Sequence, residues 1–201
     1  MSYFEYGETE TSYLKDVCPK MAAVIAEKGM LKRKIEPDLF RALISSIVSQ
    51  QISTKAAVTV FSRLQQLVRD IKPAVILGFS DDDIKACGLS YRKVGYIRGI
   101  CEAVFHKMLD LDEISSKCDE DVIGELLKLN GIGRWSAEMF LIFSLARQDV
   151  LSFGDLGIRN GLMKLHGLEV LSKETFETYR QLYSPYGTVA SFYLWEVAGD
   201  A

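Results

Sequence analysis

The chain has 201 residues, of which 48% are hydrophobic and 25% charged, with a formal net charge of −3. That length allows one good-sized domain or two small lobes, and that hydrophobic share argues against extended disorder beyond the first dozen residues. The acidic balance argues against a protein that coats nucleic acid through its total charge, although a local basic patch is enough for binding.

The opening stretch, MSYFEYGETETSY, lacks a basic start followed by an apolar core, so it does not read as a signal peptide. No run of about 18 apolar residues offers a membrane span. The protein is expected to be soluble and intracellular, in the nucleus, cytoplasm or nucleoid according to the organism, with no membrane partner. Residues 1–36 read as an arm and one helix, over about Val17 to Gly29, packed on a core domain of residues 37–201.

Glu36-Pro37-Asp38 predicts a helix start, and Phe40, Leu43, Ile44, Ile47 and Val48 then form an apolar stripe at helical spacing. The stripe ends at Ser49-Gln50-Gln51-Ile52-Ser53, where Ser53 is placed to cap the next helix. Short helices are predicted from Pro73 to Phe79 and from Ser80, paired with Asp83 in a loose capping box, to Gly88. A longer one runs from Ser90 to Leu109, weakened by Gly95 and Gly99. Asp119 caps a helix to Leu129, and an apolar, buried helix is expected from Trp135 to Leu145. Helices from about Asp155, over Lys173–Leu182 and over Gly187–Val197 complete the pattern. The class is all-α, with about ten helices.

Cysteines at 18, 87, 101 and 118 are widely and irregularly spaced. That spacing argues against a zinc or iron–sulfur site and predicts buried, reduced thiols. Bases cluster at Lys32-Arg33-Lys34, Arg92-Lys93 and Arg98, apart from the acidic runs at Asp81-Asp82-Asp83 and from Asp110 to Asp121. A basic face is therefore open to this chain.

One stretch breaks the helical pattern: LNGIGRWSAE, Leu129 to Glu138. Glycines at 131 and 133 allow a tight turn, and the helix that follows begins with backbone amides that lack partners. The positive end of the helix dipole lies behind those amides, so the turn can hold an anion such as a phosphate without a basic side chain. Ile132 is free to turn inward and anchor the hairpin. An ordinary helix–helix turn fits these ten residues equally well.

Further motifs decide between the two. LNGIGRWSAE, Asp149-Val150-Leu151 and Phe153-Gly154-Asp155-Leu156-Gly157 resemble the helix-hairpin-helix DNA glycosylase superfamily, in its 3-methyladenine DNA glycosylase II branch. Ser49 to Ala57, Gly88-Leu89-Ser90-Tyr91-Arg92-Lys93, and Ser184-Pro185-Tyr186 followed by Ala190 to Trp195 resemble other segments of that branch, in the same order. The resemblance covers residues 37 to 198 and implies two lobes with an active-site cleft between them.

The resemblance implies an enzyme that flips and excises alkylated purines from double-stranded DNA, leaving an abasic site. It places the catalytic carboxylate at Asp155 and the residue that fills the vacated space at Gln51. Ser53, Gly131, Ile132, Gly133 and Arg134 are the further DNA-binding positions, and the hairpin spans about 123–145. Trp135, Tyr186, Phe40 and Met139 are the base-pocket positions, with Tyr193, Phe140 and Trp195 as weaker candidates, the last two better explained by core packing. No cofactor is required, but the resemblance implies a structural Na⁺ or K⁺ held by the carbonyls of Leu127, Leu129 and Ile132.

Trp135 stands where relatives that also cut the DNA backbone carry a lysine nucleophile, so no Schiff base is expected. Gly187 replaces a basic residue and Met139 an aromatic one of the family pattern. A monomer is expected. The alternative reading is a catalytically weak damaged-DNA-binding module built on the same hairpin.

Overall fold

The computed structural model describes residues 2–199, and among them thirteen helices and one two-stranded sheet. The chain divides into two compact units, Met1–Ile35 with Leu141–Ala201, and Glu36–Phe140. No helix among the described residues is long and apolar enough to cross a membrane.

The first unit is built around α13 (Gly187–Ala198), whose residues from Gly187 to Leu194 are all buried. A helix that is apolar all round cannot lie at a surface. Its neighbour α11 (Leu156–His166) crosses it at Gly161, where a Cβ would come within 2.8 Å of the Leu194 carbonyl carbon. The missing side chain allows that approach. The unit is completed by α12 (Lys173–Tyr183) and by the N-terminal segment.

That N-terminal segment is more ordered than its composition suggests. β1 (Ser2–Tyr3) pairs antiparallel with β2 (Lys34–Ile35), and between them lie α1 (Glu8–Val17) and α2 (Pro19–Lys28). Two helices therefore stand where one was expected, and the first starts within the first dozen residues. The reason is packing on α13. Phe4 meets Phe192 edge-on at 5.0 Å, the Tyr193 hydroxyl donates to the Gly29 carbonyl at 2.9 Å, and Arg33 pairs with Glu196 at 2.7 Å. Tyr193 is completely buried.

The second unit holds α3 (Leu39–Ser49), α4 (Thr54–Val68), α5 (Pro73–Leu77), α6 (Asp81–Ala86), α7 (Tyr91–Phe105), α8 (Leu111–Ile114) and α9 (Asp119–Leu127). The first seven residues of α10 (Arg134–Phe143) also belong to it. The predicted α3 stripe is buried in full. Asp38, Ser53, Ser80 and Ser90 each accept an amide of the helix they precede, and Ser80 with Asp83 forms a true capping box. At α9 the cap position belongs to Cys118, not Asp119. Asp119, Glu120 and Asp121 instead fill the first turn, where carboxylates oppose the positive end of the dipole. Gly95 and Gly99 do not interrupt α7.

Cys18, Cys87 and Cys101 are buried, but Cys118 is exposed because a helix start lies at the surface here. Burial pushes the Cys101 thiol up to about 12, which keeps it protonated and unreactive.

Candidate functional site

The Gly-Ile-Gly hairpin joins α9 to α10. Leu129 and Ile132 are buried, as anchors should be, and the Ile132 amide donates back to the Leu129 carbonyl at 3.2 Å. Gly131 has φ +89°, in a region that disfavours side chains, and a Cβ there would run into the Tyr96 ring, 2.7 Å from its Cγ. The fold itself demands that glycine. Gly133 differs, since a Cβ there would meet no atom of the protein within 4 Å.

The Arg134 guanidinium is engaged by Glu120 at 2.7 Å and Glu138 at 3.1 Å. Anion attraction at this turn therefore rests on the backbone amides that open α10 more than on that side chain. Gly131→Ala is expected to cost about 1–3 kcal/mol of stability through backbone strain and the displaced Tyr96 ring. It should also weaken binding to intact and abasic duplexes together, measured by thermal unfolding and fluorescence anisotropy.

Gln51 sits in the loop between α3 and α4, exposed, with φ +56°. A non-glycine residue in that region signals a local constraint. The preceding residue shows its source. The Gln50 amide group donates to the Gly131 carbonyl at 2.7 Å, and the Lys93 ammonium donates to the Val48 and Gln50 carbonyls at 2.8 and 2.7 Å. Ser53, exposed, caps α4.

Asp155 is only 8% exposed and caps α11. Its Oδ1 accepts the Ile158 amide at 2.8 Å and the Trp195 indole N–H at 2.9 Å. Donors fixed on two helices hold the carboxylate in one orientation. Trp195 is itself held in a ring stack with Phe143 at 5.8 Å and Phe192 at 6.1 Å. Core packing alone, the reading favoured from sequence, misses this hydrogen bond. Only the crossing of α11 and α13 brings residues 155 and 195 together, and helical spacing carries no sign of it.

Asp149 has a different task. Its Oδ2 accepts the Ser184 hydroxyl at 2.6 Å and its Oδ1 the Gly187 amide at 3.1 Å, so it caps α13. A Cβ at Gly187 would lie 2.9 Å from that Oδ1, which accounts for glycine where the family pattern has a basic side chain. Tyr186 is half-buried and meets Tyr13 edge-on at 5.3 Å, while Tyr13 donates to the Ser184 carbonyl. Tyr13, in the N-terminal segment, is a support that sequence reading overlooked.

Trp135 is 48% exposed, so α10 does not begin with a buried residue as expected. Met139 is half-buried, and Phe140 is buried. Phe40 is buried and lines a cavity of about 450 Å³ with Val104, Leu109 and Leu111. Each basic cluster has one member committed to an internal partner. Arg33 binds Glu196, Arg98 binds Asp81 and the Phe79 carbonyl, and Lys93 binds the end of α3. Lys128 pairs with Glu125, and Lys164 donates to the Ala198 carbonyl.

Among the described residues, no group of His, Cys, Asp and Glu side chains is placed to hold a metal ion. Leu127 ends α9, where a helix leaves carbonyls without intrahelical partners, and hard cations take such oxygens.

The profile of the HhH-GPD superfamily, base excision DNA repair proteins, matches residues 44–185. Over 170 residues the chain is 35% identical to DNA-3-methyladenine glycosylase 1 of Schizosaccharomyces pombe, covering 82% of this chain and 74% of that protein. The crystal structure of a DNA-3-methyladenine glycosidase from Bacillus halodurans superposes with a TM-score of 0.88 at 38% identity, over 99% of this chain and 93% of that one. The S. pombe 3-methyladenine DNA glycosylase in complex with abasic DNA gives a TM-score of 0.81 at 30% identity, over 94% and 95%.

Proposed function

We infer the reaction from one premise: the chain belongs to the HhH-GPD superfamily of base excision DNA repair proteins. It is a DNA glycosylase that removes alkylated purines of the 3-methyladenine and 7-methylguanine type. The relatives named as DNA-3-methyladenine glycosylases support this substrate class, and the one solved with abasic DNA supports DNA as the partner. The observation that carries the chemistry is Asp155, nearly buried and fixed by the Ile158 amide and the Trp195 indole.

The glycosidic bond is unreachable inside a duplex, so the damaged nucleotide is turned out of the stack. In this reading the amides opening α10 grip a phosphate, and Gln51 enters the vacated space, where its amide can hydrogen-bond the widowed base. An aromatic face, the role the resemblance gives Trp135 and Tyr186, attracts a base made cationic by N-alkylation by about 0.5–2 kcal/mol. The bond from C1′ to the base nitrogen breaks and its electron pair neutralises the base. The sugar becomes oxocarbenium-like, stabilised by the Asp155 carboxylate. Water then adds to C1′, oriented by Asp155 as general base. No lysine stands at position 135 to attack the sugar, so the product is an abasic site in an uncut strand.

A Na⁺ or K⁺ on the carbonyls of Leu127, Leu129 and Ile132 would add positive charge beside the gripped phosphate. The enzyme acts as a monomer inside the cell, since one damaged nucleotide requires one site.

The test is base release. Purified protein is incubated with N-methylated DNA and the freed bases are separated chromatographically. Release of 3-methyladenine or 7-methylguanine is expected. A folded protein that releases nothing yet prefers abasic to intact DNA would instead be a damage-binding module. Trp195→Phe keeps an aromatic ring in the stack but removes the donor to Asp155. Losing a hydrogen bond to a charged group is worth about 1.5–3 kcal/mol, so single-turnover release should fall about 10–100-fold.

A further inference from the structure

Helix α7 touches both parts of the proposed DNA-reading surface within the 36–140 unit. Lys93, near its start, reaches the C-terminal end of α3 and binds the Val48 and Gln50 carbonyls at 2.8 and 2.7 Å. Such carbonyls have no partners within their own helix, and an ammonium satisfies two of them at once. Tyr96 lies three residues further on, on the same face of α7, and its ring packs over Gly131. The Gln50 side chain closes the ring by donating to the Gly131 carbonyl at 2.7 Å. Between these contacts hangs Gln51, exposed and at φ +56°. A residue in that conformation persists only where its surroundings over-determine it. Here the restraint falls on the carbonyl and the side chain of the residue just before it.

We propose that Lys93 is a positioning residue that presets Gln51 for insertion into the duplex, with Gln50 tying the loop to the hairpin so that grip and insertion share one register. This rests on the glycosylase reading above. The tie reduces the conformational freedom the loop must lose when DNA binds, and lost freedom is what weakens an otherwise good contact. A helix cap that merely stabilises α3 would leave Gln51 energetically independent of Lys93.

A double-mutant cycle separates the two. Full-length wild type, Lys93→Met, Gln51→Ala and the combined variant are compared for binding to a duplex carrying a tetrahydrofuran abasic analogue and to the same duplex intact. A 2-aminopurine beside the analogue reports insertion. Lys93→Met should weaken abasic-DNA binding by about tenfold, the scale of one charge-assisted hydrogen bond, and change intact-duplex binding by less than about twofold. It should also diminish the 2-aminopurine change. In the Gln51→Ala background it should have no further effect. Wild-type-like binding by Lys93→Met, or losses that multiply in the double variant, would overturn the proposal. If Lys93→Met does not fold, Gln50→Ala takes its place in the cycle with the same expectations. A wild type that releases no methylated base and does not distinguish abasic from intact DNA would overturn the glycosylase reading and this proposal together. An active wild type with an indifferent Lys93→Met would overturn this proposal alone.

Discussion

Asp155→Asn should lose on the order of a thousandfold in the single-turnover rate of base release while keeping its melting temperature. The two halves of that expectation come from one geometry. Asp155 caps α11 through Oδ1, which takes the Ile158 amide and the Trp195 indole. Asparagine is as good a cap as aspartate, and its amide oxygen can accept the same two donors. What disappears is the negative charge. Electrostatic stabilisation of a developing cation is worth about 2.7–4 kcal/mol for a single well-placed group, and general-base orientation of water adds to it. Asp155→Ala, in contrast, should lose the same activity and about 1 kcal/mol of stability besides, because the cap goes too. Retained activity in Asp155→Asn would make this residue a cap alone. Asp149 would be a poor substitute, since its oxygens already hold the Ser184 hydroxyl and the Gly187 amide.

The contrast between those two aspartates shows what sequence carries and what it does not. Both lie in the loop between α10 and α11, and each carboxylate caps a helix start, Asp155 that of α11 and Asp149 that of the distant α13. The order of motifs around Asp155 distinguishes them by resemblance, and that route also gives Gln51 and the hairpin. Local rules served well where a signal is short-range. The α3 stripe, the Ser53 cap and the Ser80–Asp83 box are all present as read. They failed where the cause lies far away in the chain. α1 forms beside an acidic, Tyr-rich opening, and its segment is held on α13 by Phe4, Arg33 and Tyr193. α8 spans only four residues, too few to show a period. The basic clusters read as a possible surface face, yet Arg33, Lys93 and Arg98 are drawn into internal contacts with residues 163, 45 and 17 positions away. Composition places charges in a sequence but does not say which will be used up by the fold.

Gly161→Ala should act in the opposite way from Asp155→Asn, striking stability first and activity through it. The new Cβ would lie within 2.8 Å of the Leu194 carbonyl carbon and 3.0 Å of its Cα. Backbone cannot swing aside as the end of a flexible side chain can. Relief requires α11 and α13 to separate, and α13 is the most deeply buried helix of its unit. Overpacking of this kind costs about 3 kcal/mol at the upper end of its usual range. For about 200 residues that corresponds to a drop of about 6–12 °C in melting temperature. The separation would also pull the Trp195 indole, one residue beyond Leu194, away from the Asp155 Oδ1 it binds at 2.9 Å. Residual activity below the melting transition should therefore fall with that hydrogen bond, toward the level of Trp195→Phe. If instead Gly161→Ala melts early but turns over at the wild-type rate when folded, the helix crossing supports the fold without setting the carboxylate.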